Sequence, residues 1–161
     1  MEDTLINAKK KAMTLLLDMD RTEKDLRDKL KRAGFSGENR ELAVAYVKSY
    51  GYINDERYAK HFIEVNRGRK SERRMKFDLA NKGIAGDIIE QAFLEAGDFD
   101  EMPEIRRLLE KKARTLKPED PRRKEKLSAF LSRRGYKTGD IIRAIEENER
   151  LKKKKKDSII K

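Results

Sequence analysis

The residues best equipped to do chemistry in this sequence are guanidinium and ammonium groups. Their chemistry is the recognition of phosphate or carboxylate. The stretch RGRKSERRMKFDLANKG, from Arg67 to Gly83, sets Arg67, Arg69, Lys70, Arg73, Arg74, Lys76 and Lys82 against only Glu72 and Asp78. A second concentration, from Arg106 to Arg134, holds twelve Lys/Arg and four Asp/Glu. It includes Arg106, Arg107, Arg122, Arg123, Lys124, Lys126, Arg133 and Arg134. Arginine outnumbers lysine between Arg67 and Arg74, which suits bidentate contact with an oxyanion. The candidate binding surface is Arg67, Arg69, Lys70, Arg73, Arg74, Lys76, Arg106, Arg107, Arg122, Arg123, Arg133 and Arg134. The plain alternative is a set of solvated helix faces balanced by neighbouring acids.

Other chemistry is thinly represented. His61 has Arg57 and Val65 one helical turn away on either side, not the carboxylate or imidazole partners that catalysis or metal binding needs. Asp18 and Asp20 form a D-x-D pair, but carboxylates closing a helix explain them better than a divalent ion. Glu146, Glu147 and Glu149 read as a solvated face. No Gly-rich phosphate loop, nucleophile elbow or H-E-x-x-H occurs. The expectation is a binding protein and not an enzyme, with no cofactor and no metal.

Net charge sharpens this. At +11 in 161 residues, with a pI near 9.7, the chain favours a polyanionic partner. Charged residues make up 44% and hydrophobic residues 37%, thin for one round core and better suited to small clusters in series. The apolar residues are regularly spaced, which argues against disorder. There is no cysteine, no apolar run near the ~20 residues of a membrane span, and no signal-peptide pattern. These features predict a cytosolic protein.

The elements that must position the basic groups are helices. Apolar spacing of three and four predicts nine of them. The first lies within residues 1–20, with Leu5, Ile6, Ala8, Ala12, Met13, Leu16 and Leu17 inward. Thr22 caps the second, which ends at Gly34. The third follows from about Glu38, with Leu42, Ala43, Tyr46 and Val47 inward, and closes at Gly51. Asn54 or Asp55 caps the fourth, and Ser71 the fifth, which stops at Gly83. Ile88, Ile89, Ala92 and Phe93 mark the sixth. Asp100 caps the seventh, Asp120-Pro121 starts the eighth, and Thr138 to Asp140 open the ninth.

These helices repeat. Shifting Leu26, Leu30, Gly34, Phe35, Arg40, Ala43 and Val44 by 49 residues lands on Met75, Leu79, Gly83, Ile84, Ile89, Ala92 and Phe93. A further 52 lands on Leu127, Leu131, Gly135, Tyr136, Ile141, Ala144 and Ile145. Only Arg40 breaks the chemistry of its column. Leucine or methionine one turn apart packs inward, glycine takes a left-handed backbone at the helix end, and the next residue folds back over that end. The expected fold is all-α: three tandem three-helix repeats (1–51, 52–98 and 99–150) in an elongated, curved, right-handed-type array. Residues 151–161, with five consecutive lysines, read as a frayed or disordered basic tail, acting as a tether to DNA or only as a soluble end. Phe35, Tyr52, Tyr58, Phe62, Phe93 and Tyr136 all fall at core-pattern positions, so packing explains them better than base stacking.

Several stretches resemble the RecX family of bacterial regulators of the recombinase RecA. They are Ala12 with Leu15–Leu17, RTEKDLRDKLKRAGF (Arg21–Phe35), GYINDERYAKHF (Gly51–Phe62), RRMKFDLANKGI (Arg73–Ile84) and RRKEKLSAFLSRRGY (Arg122–Tyr136). The likeness spans about residues 10 to 150. Ser71 stands where the family often has glycine, and Arg40 where a branched apolar residue is usual. The resemblance implies a crescent of three three-helix repeats lying in the groove of the RecA–single-stranded-DNA filament. It implies inhibition of ATP hydrolysis, strand exchange and filament growth, in recombination, DNA repair and the SOS response. The implied partners are the RecA filament and, weakly or indirectly, single-stranded DNA, with the protein a monomer. From another class, an autonomous nucleic-acid-binding helical protein of helix-turn-helix or architectural type also fits the basic helices. Three equivalent units are not what a dimeric helix-turn-helix requires. A membrane-surface role is weaker, since no helix pairs a lysine-rich face with exposed bulky apolar residues.

Overall fold

The computed structural model of the chain describes residues 1–160. Among them the regular structure is all α: α1 (Leu5–Asp18), α2 (Glu23–Arg32), α3 (Gly37–Ser49), α4 (Asp55–Asn66), α5 (Glu72–Asn81), α6 (Gly86–Ala96), α7 (Met102–Ala113), α8 (Arg123–Arg133) and α9 (Thr138–Ile160). They follow one another as tandem three-helix groups.

The repeated glycine and its successor build the same stop three times. Gly34, Gly83 and Gly135 have φ of +94°, +83° and +89°, a region that side chains with a Cβ avoid. The N–H of the next residue then reaches back to the carbonyl five positions earlier: Phe35 to Leu30, Ile84 to Leu79, Tyr136 to Leu131. Both members of each pair are buried. The motif therefore ends the helix and adds an apolar contact in one step.

The chain forms two compact units: Met1–Val65 with Lys76–Gly97, and Asn66–Met75 with Asp98 onward. Helix α5 begins in the second and ends in the first. In the first unit α1 packs chiefly on α3, around Ala8, Ala12, Leu26, Leu30, Phe35, Ala43, Val44, Val47 and Ile53. In the second, α7 and α8 pack on α9 around Met102, Ile105, Leu108, Leu109, Leu127, Leu131, Tyr136 and Ile141.

Four expectations need correction. Ile6 and Leu17 are 67% and 82% exposed, because the inward stripe of α1 is narrow and is filled by Ala8 and Ala12. Leu42 on α3 is also exposed; Ala43, Val44 and Val47 make that helix's core contacts. Tyr52 follows the glycine that closes α3, yet it points outward, since Ile53 takes the core position there. Finally, the lysine run is not a disordered tail: α9 continues through it to Ile160. Lysine is a good helix former, no glycine or proline interrupts the run, and the helix is already nucleated by its packed first turns. Lys161 lies outside the described residues.

The break at Arg40 also has an explanation. Its counterparts Ile89 and Ile141 are buried, whereas the Arg40 guanidinium donates to the Phe35 carbonyl at 2.8 Å, bracing the start of α3. The second helices' capping residues are where sequence placed them. Thr22 accepts from the Asp25 N–H at 3.2 Å and Ser71 from the Arg74 N–H at 3.1 Å. Helix α8 starts two residues after Pro121, with the Asp120 carboxylate accepting from the Arg122 N–H.

Candidate functional site

The caps of α2 and α5 do more than cap. The Thr22 hydroxyl donates to the Lys82 carbonyl at 2.8 Å, and the Ser71 hydroxyl donates to the Arg134 carbonyl at 2.7 Å. Each acceptor is the last residue before a stop glycine, at the end of the next group's second helix. Beside each, a carboxylate from the start of the next group's first helix closes the same N-terminus. Asp55 accepts from the Glu23 N–H at 3.0 Å, and Glu101 from the Glu72 N–H at 2.8 Å. Two orphan helix ends thus satisfy each other. The approach is close enough to require glycine twice over. A Cβ on Gly83 would meet the Lys24 side chain at 2.3 Å, and one on Gly135 would meet Ser71 Oγ at 2.6 Å.

The second of these joints gathers charge. The α5 N-terminus brings Arg69, Lys70, Arg73 and Arg74 to the α8 C-terminus, which carries Arg133 and Arg134. Among the described residues the side chains of Arg69, Arg73 and Arg133 make no ion pair, and all three are exposed. The Arg134 guanidinium lies 4.5 Å over the Phe130 ring. Arg67 stacks 4.2 Å over Phe99 and donates to the Asp98 carbonyl at 3.0 Å, so it also ties down the approach to α7. Next to the joint, Arg67, Lys70 and Arg107 line a cleft of about 350 Å³ with Phe99, Glu101, Glu104 and Tyr136. Burial holds the Glu101 carboxyl above the ordinary glutamate value of 4.5, opposed by the Glu72 N–H. Its Oε2 is buried without a hydrogen-bond partner among the described residues. Burial, helped by the charges of Glu104 and Glu101, pushes the Tyr136 phenol up to about 12.

The remaining predicted residues are differently engaged. Arg106 meets Glu147 on α9 through two hydrogen bonds, at 2.9 and 3.3 Å, and Arg107 meets Glu104 at 3.0 and 2.6 Å. Arg122 pairs with Glu125, and Lys76 pairs with Glu90 while lying over Phe93. Arg123 donates to the carbonyls of Ala113, Leu116 and Lys117, so its guanidinium closes the C-terminal end of α7. The acids read as a solvated face include two partners: Glu147 for Arg106, and Glu149 for Lys124 at 3.2 Å.

Asp18 is engaged by the buried Arg21. Arg21 also binds Asp25 at 2.9 Å and the Leu15 carbonyl at 3.1 Å, sealing the end of α1. His61 is exposed on α4. Sequence reasoning missed Glu101 and the second bond of each cap. The available signal was that Thr22 and Ser71 are 49 residues apart, in the same column of the repeat.

Comparison with known proteins places the chain. Residues 54–92 match the second three-helix domain of RecX, and residues 100–145 match the third. The regulatory protein RecX of Clostridium perfringens (strain SM101 / Type A) is 31% identical over 154 residues, 92% of this chain and 73% of that one. The regulatory protein RecX of Caldanaerobacter subterraneus subsp. tengcongensis is 36% identical over 140 residues, 86% of this chain and 68% of that one. A crystal structure of RecX from Lactobacillus salivarius shares the fold with a TM-score of 0.76 at 23% identity, covering 89% of this chain and 95% of that one. Another crystal structure of a regulatory protein RecX gives 0.80 at 22% identity, covering 88% and 73%. No helix among the described residues is long and apolar enough to cross a membrane.

Proposed function

The chain belongs to the RecX family, and on that premise we propose that it regulates a RecA–single-stranded-DNA filament. It binds the filament and inhibits its ATP hydrolysis, strand exchange and growth. The observation that supports this reading best is the arginine cluster where α5 meets α8. Arg69, Arg73 and Arg133 are exposed and, among the described residues, without carboxylate partners, so they are available to an acidic surface. Arg74, Lys70 and Arg134 extend the cluster. Arg106, Arg107 and Arg122 reach a polyanion only by giving up a carboxylate, so they contribute less. Arg123 holds the end of α7.

The test is ATP hydrolysis by the host's RecA on single-stranded DNA while this protein is titrated, with binding to naked DNA measured alongside. Loss of hydrolysis at concentrations too low to cover the free DNA supports action on the filament. Loss only when the DNA is saturated overturns it in favour of simple competition for DNA.

A further inference from the structure

Three of the chain's five tyrosines form one ladder at the end of α3. Tyr46 and Tyr50 are one helical turn apart and meet edge to face, with centroids at 5.1 Å. Tyr50 and Tyr52 stack across Gly51, at 5.8 Å and 19° between ring planes. Tyr46 packs against the first core, but packing does not account for the outer two rings. Tyr50 is 62% exposed and Tyr52 47%, and the core beneath them is closed by Val47 and Ile53. The positive φ of Gly51, +73°, turns the chain so that Tyr52 comes back beside Tyr50.

Two cations stand beside the ladder. Lys9 Nζ lies 4.3 Å over the Tyr46 ring, and Arg57 donates to the Gly51 carbonyl at 3.0 Å. Neither makes an ion pair among the described residues. Near-parallel exposed rings flanked by uncompensated positive charge match one ligand chemistry well: planar bases joined by phosphates. A proline-rich peptide also suits aromatic ladders, but nothing in it requires the flanking cations.

We propose that Tyr50 and Tyr52, with Tyr46 behind them, form a stacking platform for unpaired nucleobases of single-stranded nucleic acid, with Lys9 and Arg57 facing the flanking phosphates. This surface lies in the first compact unit and shares no residue with the arginine cluster. It therefore stands or falls separately from that site.

The test uses the full chain and two labelled oligomers of equal length, oligodeoxythymidylate and its abasic counterpart, followed by fluorescence anisotropy. Both carry the same phosphates, so only the bases differ. The expected result is a preference for the thymidylate oligomer of about tenfold or more. Tyr50→Ala with Tyr52→Ala abolishes that preference and leaves the salt dependence of binding unchanged. Tyr50→Phe with Tyr52→Phe keeps it, since stacking needs the ring and not the hydroxyl. Because the chain has no tryptophan, tyrosine emission can be followed, and the part of its quenching by unlabelled thymidylate that is lost in the phenylalanine pair reports Tyr50 and Tyr52. Equal affinity of the wild-type chain for the two oligomers overturns the proposal. So does a double alanine variant that is folded and still prefers thymidylate, or quenching by a polyproline peptide but not by thymidylate. Should the alanine pair lower the melting temperature, the wild-type comparison and the phenylalanine pair still decide. RecA plays no part in these readouts, so the outcome is independent of filament regulation.

Discussion

The joint of α2 with α5 and the joint of α5 with α8 are the same device with different surroundings. In both, a capping hydroxyl bonds the last carbonyl before a glycine, and a carboxylate from the following helix start closes the same N-terminus. At the first joint the cations of α2 and α3 are neutralised, whereas Lys82 lies over the Tyr58 ring, 5.9 Å from its centroid. Lys24 pairs with Asp28, Arg27 with Glu23 and Glu41, and Lys48 with Glu23. At the second, Arg69, Arg73 and Arg133 have no such partners among the described residues. The lesson is that joining and recognition are separable: the hydrogen bonds hold the helices, and the charge around them is free to vary.

The largest expected effect breaks one joint and spares a reference glycine. Gly135→Ala forces a Cβ into a left-handed backbone and against Ser71 Oγ. Gly34→Ala suffers only the backbone strain, with nothing within 4 Å. Urea unfolding should show losses of about 3 and about 1 kcal/mol respectively. Equal losses would mean that the close approach at the joint is not rigid.

Next comes the charge contrast. Arg69→Glu, Arg73→Glu and Arg133→Glu together should raise the concentration needed to inhibit RecA ATPase about tenfold or more. The matching reversal of Lys24 and Arg27 at the first joint should change inhibition little. Helicity and melting temperature should hold in the arginine variant; if they collapse, those residues are structural and the assignment fails.

A smaller effect tests the equivalence of the joints. Thr22→Ala and Ser71→Ala each remove a cap and a bond between helices, and each should cost about 1–2 kcal/mol. A loss confined to one of them would show that the devices are alike in geometry only.

The smallest effect is in pH. Burial raises the Glu101 carboxyl above 4.5 and the Asp55 carboxyl above 3.8. For a carboxyl raised by folding, the native state binds the proton more tightly. Its stabilisation is fully present below the unfolded value and is lost as pH rises through the folded one. Glu101→Gln keeps an acceptor for the Glu72 N–H but cannot ionise. The stability of the wild type relative to this variant should therefore fall as pH rises from about 4.5, by chemical denaturation at a series of pH values. A flat difference would place Glu101 in contact with water.

The sequence determined the helices, their order and their stops. Those depend on local rules: apolar residues three and four apart, a hydroxyl at the N-cap, glycine at the end with an apolar residue after it. Leu30 with Phe35, Leu79 with Ile84 and Leu131 with Tyr136 were legible because each pair lies within one turn and its stop. The basic residues were equally visible as a set, and resemblance to a family supplied a role for them.

Tertiary structure decided which of them are free. Glu147 is 41 residues from Arg106, and the carbonyls that hold Arg123 belong to the preceding helix end, so no local pattern distinguishes them from Arg73 or Arg133. The same reason hid the second bonds of Thr22 and Ser71, which reach 60 and 63 residues along the chain. It also hid the outward turn of Tyr52, since Tyr52 and Ile53 both suit the core and only packing chose between them.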